Sequence, residues 1–212
     1  MTSVLVVLDV DSTLIEQEAI ELLAEQAGSL DVVAQITARA MAGELDFAQS
    51  LIERVETLEG LNEAALEQIS ARIELTRGVR ELVQGIHAAD GRIAVVSGGF
   101  HELLDAHAAD LGLDVHRANR LDIVDGRLTG RTRGPVIDAA AKQQALLEWA
   151  HAFQVPLHRT VAIGDGANDL EMMSAAGLSI AFDAKPVVRE HADLVLDERD
   201  LSSVLAVLGL RG

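Results

Sequence analysis

Residues 4–15 read VLVVLDVDSTLI, an unbroken aliphatic and β-branched run that stops at two carboxylates one residue apart, followed by Ser12 and Thr13. Such a run predicts a strand buried on both faces, as in a parallel sheet. In open parallel sheets ligands bind beyond the carboxyl ends of the strands, which puts Asp9 and Asp11 where chemistry is expected. Positions two apart face the same side of a strand, and the turn past its end can bring both toward one ligand. A divalent cation and a phosphate are the ligands this suits. Asp, Ser and Thr after a strand are also common turn and helix-capping residues, so partners elsewhere in the chain must decide between the two.

Working outward, two more apolar runs end in polar clusters. RIAVVSGG (92–99) finishes in Ser97, Gly98 and Gly99, and RTVAIGDGAND (159–169) runs into a Gly and Asp cluster. Helical patterns separate the strands: VRELVQGIHAAD, then FHELLDAHAADLG closed by Gly112, then residues 138–153. GLSIAFDA and ADLVLD complete the strand set, and residues 200–210 read as a closing amphipathic helix. Asp125-Gly126 is a strong two-residue hairpin signal and predicts a small flap. Alternation of this kind predicts an α/β fold with a Rossmann-like parallel sheet, so the three strand-end clusters should converge.

Asp9, Asp11 and Asp165, with Asp169 as a further donor, supply the hard oxygens that Mg²⁺ takes while it keeps waters and a phosphate oxygen. Ser97 and the amides of Gly98 and Gly99, just ahead of a helix, offer a phosphate cradle. Lys142, early in the helix before GDGAND, adds a point positive charge. Singly, SGG reads as a turn, GDG as a loop and a lone Lys as a solvated charge. The signal lies in their order and in their placement at strand ends.

Between the first strand and residue 78 the periodicity is helical, with apolar spacings of three and four at Ile20, Leu23 and Ala27, then Val33, Ile36 and Met41, then Phe47, Leu51, Val55 and Leu58, then Leu66, Ile69 and Ile73. Gly28, Gly43 and Gly60 punctuate the block, and Asp46 and Asn62 are plausible caps. A single crossover needs only about 10 to 15 residues, so about four helices in this place predict an inserted cap domain over the site. The expected division is residues 1–15 and 79–212 as catalytic core and 16–78 as small helical cap. The block holds thirteen acids against four Arg and no Lys, more than half of the chain's net charge of −17.

With that charge nucleic acid would be repelled, and aromatic residues at 2% leave little for stacking on bases or sugars. A small substrate is expected, and an anionic one must be met by a few placed cations or a metal. The absence of cysteine excludes disulfides and thiolate metal sites and suits a reducing cytosol. No basic segment precedes the first apolar run, which is too short to span a bilayer; the expectation is a cytoplasmic protein, monomer or homodimer, without membrane attachment. Of the seven His, none makes a metal-spaced pair, and His101 reads as a plain helix residue.

DVDST, VVSGG, Lys142 and IGDGAND, in that order, resemble the four motifs of the haloacid dehalogenase superfamily of aspartyl-phosphate phosphatases. The likeness is closer still to its phosphoserine phosphatase family, through DSTLIEQEAIE, MAGELDFAQSLIERV, ANRLDIVDGRLTG and GDGANDLEMM followed by GLSIAFDAKP, and it covers nearly the whole chain.

The resemblance implies that Asp9 is the nucleophile and Asp11 the general acid, later the base for water. It implies Mg²⁺ held by Asp9, the main-chain carbonyl of Asp11 and Asp165. Ser97, Gly98 and Lys142 would hold phosphate with Asn168 nearby, and Asp169 would support the metal and Lys142. A carboxylate is already ionised at neutral pH and attacks without an activating base, whereas an acid must hold its proton and so needs a raised pKa. By the same resemblance Glu18 faces the amino group of phosphoserine and Arg54 its carboxylate, to which a planar fork is suited. Phe47 and Met41 are expected to wall the pocket, and Ser12 and Thr13 to set the turn. Hydrolysis of O-phospho-L-serine, the last step of serine biosynthesis, is the expected activity. Alternatives are transfer to an alcohol such as homoserine, hydrolysis of another small phosphomonoester, or a non-catalytic phospho-ligand sensor. With the first strand starting at Ser3, no preceding regulatory domain is expected. Arg77 stands where many relatives carry proline or an acid.

Overall fold

Strand β1 (Leu5–Leu8) is buried at every position and pairs in parallel with a strand on each side, β2 (Arg92–Phe100) and β5 (Thr160–Gly164). Its four side chains are aliphatic on both faces because each face is covered by helices, the condition under which parallel strands lose polar alternation. This is a computed structural model describing residues 4–210, so the expected start at Ser3 lies outside the described residues. Beyond β2 come β3 (Val115–Val124) and the antiparallel β4 (Arg127–Arg133); beyond β5 come β6 (Leu178–Phe182) and β7 (Leu194–Leu196). The seven-stranded order is β4-β3-β2-β1-β5-β6-β7. After β1 the chain goes first to one side and later to the other, so the carboxyl ends of β1, β2 and β5 flank the topological switch point.

Two apolar layers enclose the sheet. One face packs with Val79, Leu82 and Ile86 of α5 (Val79–Ala88), Leu104 of α6 (His101–Leu111) and Val204 of α10 (Ser203–Val207). The other packs with Leu146 and Trp149 of α7 (Ala139–Ala152), Met172 and Met173 of α8 (Leu170–Ala175) and Val188 of α9 (Pro186–His191). Gly112 ends α6 in the left-handed conformation (φ 71°), and Asp125 and Gly126 carry the paired positive φ values of the β3–β4 turn. The short helix α9, between the last two strands, was not expected.

Four helices follow β1: α1 (Ala19–Ala27), α2 (Leu30–Met41), α3 (Phe47–Glu56) and α4 (Ala64–Ser70). Asp46 caps α3 through a full capping box with Gln49, while Asn62 bonds the Ala64 amide one residue ahead of the α4 cap position. Leu23, Val33, Leu51, Val55, Leu58 and Ile69 form a third apolar cluster that also takes in Phe100, Leu103, Leu121 and Leu128. Two chain segments join the four helices to the sheet, and they pair with each other: Ile15 bridges Leu75, Glu16 N–H donates to Glu74 O at 2.9 Å and Thr76 N–H to Leu14 O at 3.0 Å. The β3–β4 hairpin reaches across to the α3–α4 loop, where Gly60 N–H donates to Leu128 O and Glu63 N–H to Gly126 O. No helix among the described residues is long and apolar enough to cross a membrane.

Candidate active site

The in-register pairing of β1 with β2 and β5 sets Leu8 level with Val95 and Ile163, so that Asp9, Ser97 and Asp165 follow at the same edge of the sheet, and Asp9 N–H extends the ladder by donating to Ile163 O at 2.9 Å. One cleft is lined by Asp9, Asp11, Glu18, Phe47, Arg54, Gly98, Gly99, Asp165 and Asn168. Lys142 lies behind its floor with no exposed surface, its ammonium 2.6 Å from Asp9 Oδ1 and 2.8 Å from Asp169 Oδ1. Asp138 caps α7 through the Ala141 amide and so fixes where Lys142 enters, one turn into the helix.

Burial works to lower the Lys142 pKa, but Asp169 and Asp9 outweigh it and hold it above its ordinary value. Asp9 is pushed well above the usual carboxylate range by burial and by Asp169 and Asp11, with Lys142 pulling the other way. Asp11 rises to about 7, chiefly because it is removed from water and because Glu18 stands near; bonds from Ala19 N–H (2.7 Å) and Ser97 Oγ–H (3.2 Å) oppose the shift. Asp165 rises to about 6 by burial, partly offset by Lys185. Thus Asp9 has a buried cation against it, whereas Asp11 faces another carboxylate. Burial pushes both carboxyls toward holding a proton, and the lysine opposes this most closely at Asp9.

The turn after β1 is strained. Ser12 adopts φ 55° without being glycine, and its Oγ donates to Glu18 Oε1 at 2.7 Å. Arg199 reinforces the same turn, its guanidinium reaching Glu16 Oε2 and Asp183 Oδ2, both at 2.9 Å. Arg54 is half-buried, its pKa lowered by desolvation; its Nε donates to Ser50 O at 3.1 Å, and among the described residues no carboxylate is within ion-pair distance of it. A half-buried guanidinium without an acidic partner, lining a cleft, is ready to take an anion.

Glycine is required where Asp11 crowds the β2 loop: a Cβ on Gly99 would lie 2.9 Å from Asp11 Oδ2, and one on Gly98 would lie 2.8 Å from the Phe47 ring. Of the two amides expected to cradle phosphate, that of Gly99 donates to Ser97 Oγ at 2.7 Å.

Asp9, Asp165 and Asp169 bring carboxylate oxygens within 4.8 Å of one another. Both Asp169 oxygens are engaged, Oδ1 by Lys142 and Oδ2 by Gly166 N–H, and Asp9 Oδ1 is taken by Lys142 and Val10 N–H. Asp9 Oδ2 and the Asp165 carboxylate are the side-chain oxygens left for a cation. This hard, buried, net-negative donor set fits a divalent metal ion.

Two expectations are corrected. Met41 does not wall the cleft: it ends α2 at 78% exposure, since the helix buries only Val33 and Ile36 and its last turn runs past the core. His101 is not a plain helix residue, because folding brings it to His116 around Asp105, with contacts of 2.7 and 2.8 Å to the shared Oδ1. Its Nε2 accepts the Ala118 N–H at 3.1 Å, so the proton sits on Nδ1 and is donated to Asp105; the group is a hydrogen-bonded tie between α6 and β3. Sequence reading passed over Lys185, which lines the cleft 3.8 Å from Asp165, and it treated Ser12 as a turn residue alone. The signal for Ser12 was available only as a hydroxyl in a turn six residues before Glu18.

A haloacid dehalogenase-like hydrolase family model matches residues 6–174. The phosphoserine phosphatase of Streptomyces coelicolor is 52% identical over 97% of this chain, which spans about half (50%) of that relative's length. That of Streptococcus thermophilus is 47% identical over 96% of this chain and 95% of its own. Among solved structures, an analogue of the phospho-aspartyl intermediate of a phosphoserine phosphatase superposes with a TM-score of 0.92 at 41% identity, covering 98% of this chain and 99% of that one. A substrate-bound phosphoserine phosphatase complex gives 0.92 at 40% identity with the same coverage. With four motifs meeting at one switch point and near-complete matches on both counts, the chain belongs to the phosphoserine phosphatases of the haloacid dehalogenase-like hydrolases.

Proposed function

We propose that this chain hydrolyses O-phospho-L-serine to serine and inorganic phosphate through a phosphoaspartyl enzyme formed on Asp9. The observation that carries this reading is the division of charge in one cleft. Asp9 is backed by a buried Lys142, Asp11 has a pKa of about 7, and Glu18 lines the same cavity as Arg54, which has no ion-pair partner among the described residues. The solved relatives described as a phospho-aspartyl analogue and a substrate complex support it.

In this mechanism the Asp9 carboxylate attacks phosphorus through one oxygen, the other remaining for the cation; Asp11 gives its proton to the departing serine oxygen. Asp11, now ionised, takes a proton from the water that attacks the phosphoaspartate, and phosphate leaves with Asp9 restored. Ser97, Gly98 and Lys142 hold the phosphoryl oxygens with Asn168 beside them, while Asp169 keeps Lys142 in place. Mg²⁺ would be held by Asp9, the Asp11 carbonyl and Asp165, and when bound it supplies positive charge against the repulsion between carboxylate and phosphate. Glu18, oriented by Ser12, receives the ammonium group of the substrate and Arg54 its carboxylate.

Residues 16–78 form the cap in this reading and residues 1–15 with 79–212 the core. The paired connecting segments support that division, and the apolar cluster of the four helices meets the core at Phe100, Leu103, Leu121 and Leu128. Steady-state turnover of phosphoserine against a panel of phosphomonoesters, with and without an added alcohol acceptor, tests the assignment. Asp9→Asn keeps the side-chain size and removes the nucleophile; turnover within tenfold of the parent would refute the covalent mechanism.

A further inference from the structure

The β2–β3 register shifts between Val96 and Phe100, where Ser97, Gly98 and Gly99 of β2 stand against Ala118 alone, a bulge in the strand. The extra residues of a bulge have backbone groups that need partners outside the ladder. Asn119, 2% exposed and opposite Phe100 in the register, supplies one: its Nδ2 donates to Gly98 O at 2.8 Å. Its Oδ1 accepts the amide of Ile137 at 2.9 Å. A carbonyl can only accept and an amide N–H only donate, so these two partners fix which way the side chain faces. Ile137 directly precedes Asp138, the cap that sets the start of α7, and Lys142 lies one turn further on. One buried side chain thereby joins the β2 loop to the helix that carries the buried lysine, across 18 residues of sequence on one side and 21 on the other.

We propose that Asn119 is a positioning residue for the phosphoryl group, its amide setting the spacing between Gly98 and Lys142. The inference rests on the reading in which those two groups hold phosphate. Asn119 touches neither substrate nor reacting atoms. It acts through the bulge and the helix it connects, bonding to the backbone of the first and to the amide just before the cap of the second. Asparagine is the residue suited to this task because it offers one donor and one acceptor on a short, rigid stem. Aspartate keeps the bond from Ile137 but, ionised, turns an acceptor toward the Gly98 carbonyl, and alanine leaves both backbone groups without partners.

The test is calorimetric binding of inorganic phosphate to the full chain with Mg²⁺ present, for the parent, Asn119→Asp and Asn119→Ala, alongside kinetics on phosphoserine and on an alkyl phosphate lacking the amino-acid group. Both variants are expected to bind phosphate about 10- to 100-fold more weakly, the range that an unpaired buried hydrogen-bonding group produces. Their preference for phosphoserine over the alkyl phosphate should stay within about twofold, because Glu18 and Arg54 are untouched. A merely structural role would lower the melting temperature and leave the phosphate affinity of the folded protein within about twofold of the parent; that result overturns the proposal. Should both variants fail to fold, hydrogen exchange of the Ile137 amide in the parent decides: saturating phosphate is expected to slow it several-fold, and an unchanged rate overturns the proposal. Phosphate binding is read independently of phosphoserine turnover, so a parent that binds phosphate yet spares phosphoserine would sink the substrate assignment and leave this inference standing.

Discussion

Replacing Lys142 by Met tests the charge arrangement on which the site depends. The ammonium is fully buried, 2.6 Å from Asp9 and 2.8 Å from Asp169, and both carboxylates are themselves buried. Methionine fills most of the volume, so the perturbation is electrostatic: two carboxylates lose the buried cation between them. Removing one partner of a buried pair costs about 3–5 kcal/mol. For a chain of this size that corresponds to a melting temperature lower by roughly 6–20 °C. The loss must also depend on pH. Lys142 pulls the Asp9 pKa down against burial, so without it the folded pKa of Asp9 rises further, and the folded variant keeps a proton that the unfolded chain gives up from about pH 4 upward. A group with a raised folded pKa contributes stability below its unfolded pKa and loses it as pH rises toward the folded one. Relative to the parent, whose own Asp9 is already raised, the variant should therefore weaken by about 1.4 kcal/mol per pH unit between the folded Asp9 pKa of the parent and the higher one of the variant. Urea unfolding of the two proteins in chelator at pH 5 and pH 8 measures this directly. A difference below about 1 kcal/mol, the same at both pH values, would refute the reasoning, because it would mean that the lysine is solvated or that the carboxylates escape to water.

Ser12→Ala leaves Glu18 without its fixed hydrogen bond; KM for phosphoserine should rise about tenfold, with a smaller effect on a phosphomonoester that lacks the ammonium group, as comparative kinetics would show. Phosphoenzyme formation should decline as pH rises through about 7, where Asp11 loses the proton it must donate. Glu18→Gln should move that decline to lower pH, since the Glu18 charge is one cause of the raised value; burst kinetics across pH 5–9 would check both. Saturating Mg²⁺ should raise the melting temperature by roughly 5–10 °C at pH 8, corresponding to about 2.7 kcal/mol at a hundredfold excess over Kd, and by less at pH 5. The sign follows from Asp165, whose pKa of about 6 means that a proton competes with the cation below that pH.

Hydrophobic periodicity alone determined the architecture of this protein, because strands buried on both faces and helices with one apolar stripe leave unambiguous traces in the order of side chains. The run before Asp9, the strands that carry Ser97 and Gly164, the Gly112 helix stop and the Asp125-Gly126 turn were all legible in that way, though the first of those strands runs on to Phe100. So were the chemical types at the strand ends, since a parallel sheet aligns those ends whatever the loops do. Tertiary structure decided which polar side chains meet. It turned Met41 outward, bent a non-glycine Ser12 into contact with Glu18, gathered His101 and His116 onto Asp105, and set Asn119 between the β2 loop and α7. It also gave two carboxylates of the same DVD stretch opposite electrostatic partners, a buried lysine for Asp9 and another acid for Asp11. The physical reason is range. Hydrophobic burial is non-directional and repeats along the chain, so it can be read locally, whereas hydrogen bonds and pKa shifts depend on ångström-scale approach between segments whose separation only the finished fold sets.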